Sequence, residues 1–196
     1  MLKKFVMPLV GAVAAAVLVA PATVSAQGGS APGDVRIAPG RFDTVRIGDS
    51  LESAAESGYF VLDVKTPGCG TRAIWPTKPW RRSIDVYQGF EDETIGTVGT
   101  IGVTGVTGVT GDGISTREGI GIGATVADLE AAYGERLIGP RRNDLSQWSY
   151  FIRTNRRWLG FLTDASARDG KPTSDAEVTF IEITKGRRPG LYRDGC

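Results

Sequence analysis

Apolar and polar positions follow the same short pattern twice along the chain. Val45–Ala55 and Ile120–Glu130 each begin with two alternating apolar residues, pass through a glycine and a Ser or Thr, and end in a short apolar stretch. A Ser or Thr at the start of a helix accepts hydrogen bonds from the free N–H groups of the first turn. The pattern therefore predicts two short helices with Ser50 and Thr125 as their N-caps.

The second copy gives the stronger helix signal. Asp128 stands three residues after Thr125, which completes a capping box and places a carboxylate at the positive end of the helix. Val126, Leu129 and Tyr133 recur at helical spacing and predict one buried stripe. Both helices are too short to be stable alone, so each must pack against another element.

Runs rich in aromatic and β-branched residues predict strands after each helix. These runs are Phe60–Val64, Ile84–Tyr87, Trp148–Ile152, Trp158–Leu162 and Val178–Ile183. A short helix followed by an antiparallel meander is typical of α+β folds. We therefore expect two tandem modules, residues 41–93 and 114–196, each with a short helical segment and a small antiparallel β-meander.

A glycine-triplet tract separates the two predicted modules. Between residues 94 and 111 a glycine recurs at every third position, with Val, Ile and Thr between. The tract contains no proline and is too short for a collagen helix, and it does not form the glycine pattern of a phosphate-binding loop. For residues 94–113 we expect strands extended into a flexible loop, or a linker, with a binding loop as a less favoured alternative.

The repeated pattern resembles known modules. An apolar-x-apolar-Gly-x-[Ser/Thr]-apolar signature ahead of a meander resembles the β-lactamase-inhibitory-protein-like group, and it is similar to the SmpA/OmlA-type envelope lipoproteins. Residues 121–129 carry the best match. The resemblance implies an exported bacterial protein that binds another protein through loops and a concave sheet. The chain departs from the SmpA/OmlA pattern because it has no lipidation cysteine, and no contact residue can be carried over.

The first residues predict export. Lys3 and Lys4 precede an uncharged apolar run, and small residues at Val24 and Ala26 suit signal peptidase. We expect a signal peptide at residues 1–26, with an uncleaved membrane anchor as the alternative, and a flexible leader at residues 27–40. No other long apolar run follows, so we expect no membrane insertion after cleavage. We expect a secreted or extracytoplasmic protein, with association with the cell envelope as an alternative.

The two cysteines, Cys69 and Cys196, both follow the predicted cleavage site. An oxidising compartment favours a disulfide between them. Such a bridge would tie down the C-terminal residue and close a long loop. Free thiols or intermolecular pairing are the alternatives.

Composition excludes several kinds of chemistry. The chain has 23 Lys+Arg, 22 Asp+Glu and no His, so it lacks the commonest general base and metal ligand. No Ser stands three residues before a Lys, and no carboxylate pair stands out. We therefore predict no catalytic residue, no metal site, no cofactor and no enzymatic activity. The nearly balanced charge argues against nucleic-acid binding.

Two sets of residues are candidates for binding. Trp75, Trp80, Arg81 and Arg82 lie in one proline-rich stretch, and Trp and Arg are frequent at the energetic centres of protein interfaces. The alternative is that both tryptophans cover the sheet. A second set could contact an acidic wall polymer or form a solvated rim; its members are Arg153, Arg156, Arg157, Arg187 and Arg188.

The sequence therefore predicts a secreted, non-catalytic protein that works by binding. The favoured partner is an unidentified protein, recognised in an inhibitor-like manner through the stretch from Trp75 to Arg82. The alternative is a structural protein of the cell envelope that binds wall polymer or matrix.

Overall fold

The structure is a computed structural model and describes residues 35–63, 73–88, 97–104 and 113–191. The first part of the chain forms strands β1 (Val35–Ala38), β2 (Arg41–Phe42), β3 (Val45–Arg46), β4 (Phe60–Asp63), β5 (Ala73–Pro76), β6 (Ile84–Gln88) and β7 (Val98–Thr104). The second part forms strands β8 (Ile114–Thr116), β9 (Ile138–Arg142), β10 (Gln147–Thr154), β11 (Arg157–Ser166) and β12 (Val178–Lys185). The helices are α1 (Leu51–Glu56) and α2 (Val126–Tyr133), and 3₁₀ turns cover Lys78–Trp80 and Gly134–Arg136.

The strands form three sheets. The largest is antiparallel, with strand order β6-β7-β12-β11-β10-β9. A four-stranded sheet has the order β3-β2-β1-β8, in which β8 runs parallel to β1. Strands β4 and β5 form a separate two-stranded hairpin. Strand therefore dominates the described residues.

The prediction of an α+β fold with two helix-plus-meander modules is wrong. The described residues are mostly strand, with two short α-helices. Strand β6 comes from the first predicted module and β7 from the tract between the modules, but both complete the sheet built by β9–β12 of the second. Likewise β1 pairs with β8 across the same boundary. Pattern along the chain predicted both α-helices and strands β4, β6, β10, β11 and β12, whereas the pairing of distant strands determined the architecture.

The local helix predictions are confirmed. Ser50 Oγ accepts the N–H of Ser53 at 3.1 Å and caps α1. Thr125 Oγ1 accepts the N–H of Asp128 at 3.2 Å, and the Asp128 carboxylate accepts the N–H of Thr125 at 2.8 Å, which is a complete capping box. The predicted stripe on α2 is buried.

Part of the glycine-triplet tract forms β7, an interior strand of the six-stranded sheet. Ile101 and Val103 are buried in the main core, while Gly102 faces the other side. A Cβ at Gly102 would lie 2.8 Å from two ring carbons of Phe180 on β12. Gly102 therefore leaves the space that the Phe180 ring occupies. Residues 94–96 and 105–112 lie outside the described residues.

Two apolar clusters lie on opposite faces of the six-stranded sheet. The main core combines buried residues from both halves of the chain, including the four-stranded sheet and both helices. A smaller cluster of Phe151, Leu162, Phe180 and Leu191 covers what we call the outer face. Since successive strand residues point to opposite faces, Ile181 enters the main core while Phe180 points outward.

Several predictions fall on residues that the structure does not describe. The predicted signal peptide and most of the predicted leader lie outside the described residues, as do Cys69 and Cys196. Residues 35–38, the end of the predicted leader, form β1, because Val35 and Ile37 alternate with polar neighbours and are buried. No helix within the described ranges is long and apolar enough to cross a membrane.

We predict that Gly102→Ala destabilises the fold by about 1–3 kcal/mol, because the new methyl group would overlap the Phe180 ring. Urea unfolding measures the change. Phe180→Leu should reduce the penalty of Gly102→Ala when the two substitutions are combined. An equal penalty with and without Phe180→Leu would contradict the proposed overlap.

A pH-dependent contribution is expected from the cap of α2. The hydrogen bonds from the Thr125 N–H and hydroxyl hold the pKa of Asp128 below its ordinary value of 3.8. The charged carboxylate therefore stabilises the fold above that value, and the contribution disappears as the pH falls through the lowered pKa. Asp128→Asn should lower the urea midpoint at about pH 7 and have little effect at about pH 2. A pH-independent difference between the two proteins would contradict this account.

Candidate functional site

The two predicted tryptophans occupy different environments. Trp75 on β5 is 44% exposed and lies directly opposite Val61 on β4, which is 41% exposed. Trp80 ends the 3₁₀ turn after β5 and is only 4% exposed. Of the two tryptophans, only Trp75 is therefore available to a partner in this structure.

Trp80 is part of an aromatic cluster in the main core. Its ring stands edge-on to Tyr59 at 5.5 Å and to Phe42 at 6.4 Å between centroids. The Tyr59 hydroxyl donates to the Asp43 carboxylate at 2.8 Å. Edge-to-face contacts of this kind stabilise a core beyond the area that they bury. Trp80 therefore connects the turn after β5 to the four-stranded sheet.

Arg81 and Arg82 are exposed next to this turn. Arg81 Nε donates to the carbonyl of Pro76 at 3.4 Å, which holds its guanidinium near the end of β5. The backbone carbonyl of Arg82 accepts the Thr104 hydroxyl at 3.2 Å. The Arg81 guanidinium therefore adds positive charge next to the small apolar centre formed by Val61 and Trp75.

A larger set of cationic side chains meets at the C-terminal end of β12, near Lys185. All of its members are exposed, and all but one are arginines. We call this set the cation cluster; it consists of Arg41, Arg46, Arg153, Arg156, Arg157, Lys185, Arg187 and Arg188.

Strand pairing brings the two halves of the cation cluster together. Arg157 lies opposite Lys185 in the β11–β12 register, and Arg41 lies opposite Arg46 in the β2–β3 register. Lys185 Nζ lies 3.3 Å from the position of a Cβ built on Gly48, just after β3. The ends of β11 and β12 therefore meet the β2–β3 hairpin.

A backbone contact fixes this junction. The N–H of Gly40 donates to the carbonyl of Trp158 at 3.3 Å. Gly40 also lies against the side chain of Arg157, whose Cγ is 2.8 Å from the position of a Cβ built on Gly40. The Arg157 side chain therefore packs across the junction between the two sheets.

Few carboxylates offset the cation cluster. The Asp49 carboxylate accepts a hydrogen bond from the backbone N–H of Arg46 at 2.8 Å, and the Asp43 carboxylate accepts one from the Tyr59 hydroxyl. Glu182 is buried beneath the chain. Within the described ranges, the geometry shows one ion pair, between Arg136 and Glu118 at 3.6 Å, and it lies away from the cluster. The cluster therefore presents mostly uncompensated positive charge.

Aromatic rings support two of these cations from below. The Arg153 guanidinium lies 5.1 Å from the centroid of the Trp158 ring, and the Arg188 guanidinium lies 5.3 Å from that of Phe151. Stacking on a ring restricts a guanidinium while leaving its N–H donors available. These two side chains are therefore partly preorganised.

The outer face also holds two carboxyl groups, but they do not form a reactive pair. Asp85 and Glu182 lie on either side of Gly102 in the strand register. Burial raises the pKa of both groups. The Glu182 carboxylate accepts the N–H of Leu191, and the Phe180 ring packs against Gly102 between them. Within the described ranges, no group of three Asp, Glu, Cys or His residues is placed to hold a metal ion.

A groove of about 780 Å³ lies at the opposite end of β12, beside the turn 119–124 and helix α2. Glycine, alanine and isoleucine form most of its lining. Its charged residues are already engaged, since Glu118 pairs with Arg136 and Asp128 caps α2. Ser115 Oγ accepts the Arg36 guanidinium at 2.6 Å. The groove therefore offers little polar chemistry for a ligand.

The sequence indicated part of the cation cluster and missed the rest. The sequence grouped Arg153, Arg156 and Arg157 as candidates, and these three residues lie together on the β10–β11 hairpin. Arg41, Arg46 and Lys185 join them only through contacts between distant strands. No local sequence pattern indicates such contacts, so the sequence could not show that these residues belong to the cluster.

The two tryptophans should respond differently to truncation. Trp80→Ala should lower the free energy of unfolding by about 3–5 kcal/mol, because it empties a buried aromatic site. Trp75→Ala should cost less than about 1 kcal/mol, since the side chain is largely exposed. Urea unfolding of both variants checks the assignment, and equal losses would overturn it.

Comparison of this chain with protein-family models, with curated proteins and with solved structures found no match in any of the three.

Proposed function

We propose that the chain is a non-catalytic binding protein that acts outside the cytoplasm and binds an acidic polymer of the cell envelope through the cation cluster. The observation that carries this proposal is the convergence of exposed arginines from two sheets on one end of the molecule. The predicted signal peptide supports the extracytoplasmic location.

The chemistry of the cluster favours carboxylate, phosphate or sulfate groups. A guanidinium presents a planar fork of donors that matches the two oxygens of such groups. The cations extend from the β10–β11 turn across the end of β12, and neighbouring strands lie about 4.8 Å apart. Charges distributed in this way suit an extended polyanion better than a single small anion.

The overall charge is compatible with a local polyanion site. The full chain carries 23 Lys+Arg and 22 Asp+Glu, so positive charge at one end implies negative charge elsewhere. Carboxylates of Asp164 and Glu177 lie near the start of β12, away from the cluster at its end. An uneven distribution of this kind orients an approaching polyanion without making the whole surface adhesive.

The proposal predicts a strong effect of charge removal at the cluster. The triple variant Arg153→Gln, Arg156→Gln and Lys185→Gln should weaken binding to polygalacturonate about tenfold, because exposed ion pairs contribute roughly 0.2–1 kcal/mol each. Binding of the full-length secreted protein is measured by sedimentation with the polymer. Binding of the unaltered protein should also fall steeply as salt rises.

A matched control separates local charge from net charge. Arg141→Gln, Arg168→Gln and Lys171→Gln remove the same number and type of exposed cations away from the cluster. This variant should bind nearly as well as the unaltered protein. Equal losses in the two triple variants, or no binding by the unaltered protein to polygalacturonate or to polyphosphate, would refute the proposal. Preferential binding to DNA would indicate a different class of ligand.

A protein partner is the second candidate, favoured by the exposed Val61–Trp75 pair with Arg81 beside it. An interface with an aromatic centre resists salt better than one made by exposed ion pairs. Retention of a single protein through high salt, lost on Trp75→Ala, would support this candidate. Binding lost at high salt and unaffected by Trp75→Ala would support the acidic polymer.

A further inference from the structure

The chain continues after β12 as a short segment across the outer face, which we call the strap (residues 186–191). At its start, the N–H of Gly186 donates to the carbonyl of Arg156 at 2.7 Å. The Thr184 hydroxyl donates to the carbonyl of Arg187 at 2.7 Å. Both bonds hold the strap's backbone against the ends of β10, β11 and β12.

The far end of the strap is held by a buried carboxylate. The N–H of Leu191 donates to the Glu182 carboxylate, and both residues are almost fully buried. Leu191 also completes the small apolar cluster with Phe151, Leu162 and Phe180. A side chain on β12 and an apolar contact therefore fix the point where the strap ends.

The middle of the strap sits above a glycine. A Cβ at Gly160 would lie 2.8 Å from Pro189 Cβ and 3.1 Å from Leu191 Cδ2. In the strand register Gly160 lies between Phe151 on β10 and Glu182 on β12. Any larger residue at position 160 would lift the strap away from the sheet.

The strap carries two members of the cation cluster, Arg187 and Arg188. Arg188 stacks on Phe151 at 5.3 Å. Burial raises the pKa of Glu182, and the nearby Arg187 charge partly opposes that rise. Neither arginine forms an ion pair with a described residue. Their positions therefore depend on the strap's anchors and on the ring beneath Arg188.

We infer that Glu182 and Gly160 are positioning residues for polymer binding: Glu182 anchors the strap, Gly160 accommodates it, and together they place Arg187 and Arg188 within the cation cluster. This inference rests on the proposed function. Neither residue is expected to touch the polymer, because Glu182 is buried and Gly160 lies beneath Pro189.

The first test compares displacement of the strap with removal of its charges. Arg187→Gln with Arg188→Gln should weaken binding to polygalacturonate about fivefold at about 0.1 M salt. Gly160→Ala should give a loss of similar size. Gly160→Ala combined with Arg187→Gln and Arg188→Gln should bind no more weakly than the arginine double variant. Cations that Gly160→Ala has already displaced make no further contribution that their removal could abolish. Additive losses would contradict the inference.

The second test changes the anchor. Glu182→Leu removes the acceptor for the Leu191 N–H and should weaken binding about as much as Gly160→Ala. Glu182→Gln keeps a carbonyl acceptor of the same length and should restore most of the binding lost in Glu182→Leu. Equal binding by the two variants would show that the hydrogen bond does not position the strap.

The salt dependence distinguishes positioning from general destabilisation. Gly160→Ala and Glu182→Leu should reduce the slope of log affinity against log salt concentration. The reduction should correspond to the loss of about two ionic contacts. Tyr133→Phe removes a buried hydrogen bond to Thr116, remote from the strap, and should leave that dependence unchanged. Unaltered protein that binds no polymer would refute the proposed function. Normal binding by Gly160→Ala and Glu182→Leu, alongside loss in the arginine double variant, would refute the strap inference alone.

Discussion

The antiparallel pairing of β7 with β12 is the interaction on which the rest of the structure depends. Gly102 lies opposite Glu182, Ile101 lies opposite Ile183, and the Phe180 ring fills the space above Gly102. Through this pair, β6 and β7 extend the sheet formed by β9–β12. The single main core, shared by both halves, follows from it.

Local chemistry made much of the secondary structure predictable, but it did not make the architecture predictable. The capping box at Thr125 and Asp128 and the aromatic strand runs depend on neighbours within a few residues, so their patterns predicted the elements correctly. The partners of β7 and β1 lie far away along the chain, and hydrophobic alternation does not encode which strands pair. The internal repeat favoured two separate modules, which the shared six-stranded sheet contradicts.

The same distinction applies to the candidate site. Trp75 and Trp80 lie in the same proline-rich stretch of sequence, but Trp75 is exposed and Trp80 is buried. The course of the backbone in the folded protein determines this difference. The arginines of the β10–β11 hairpin were recognisable as a group. Arg41 and Arg46 join them because the Gly40 backbone contacts Trp158. In the cation cluster, the charge comes from side chains that local sequence supplies, whereas their convergence comes from tertiary contacts.

The position of β12 in the chain has a consequence for the order of folding. β12 is the last described strand, yet it lies in the interior of the large sheet, between β7 and β11. During synthesis from the N-terminus, β7 therefore lacks its neighbour β12 until residues 178–185 are available. Contacts between such distant residues form late, because closing long loops costs entropy before any pairing compensates. The edge formed by β6 and β7 should therefore remain loosely structured until residues 178–185 have been made.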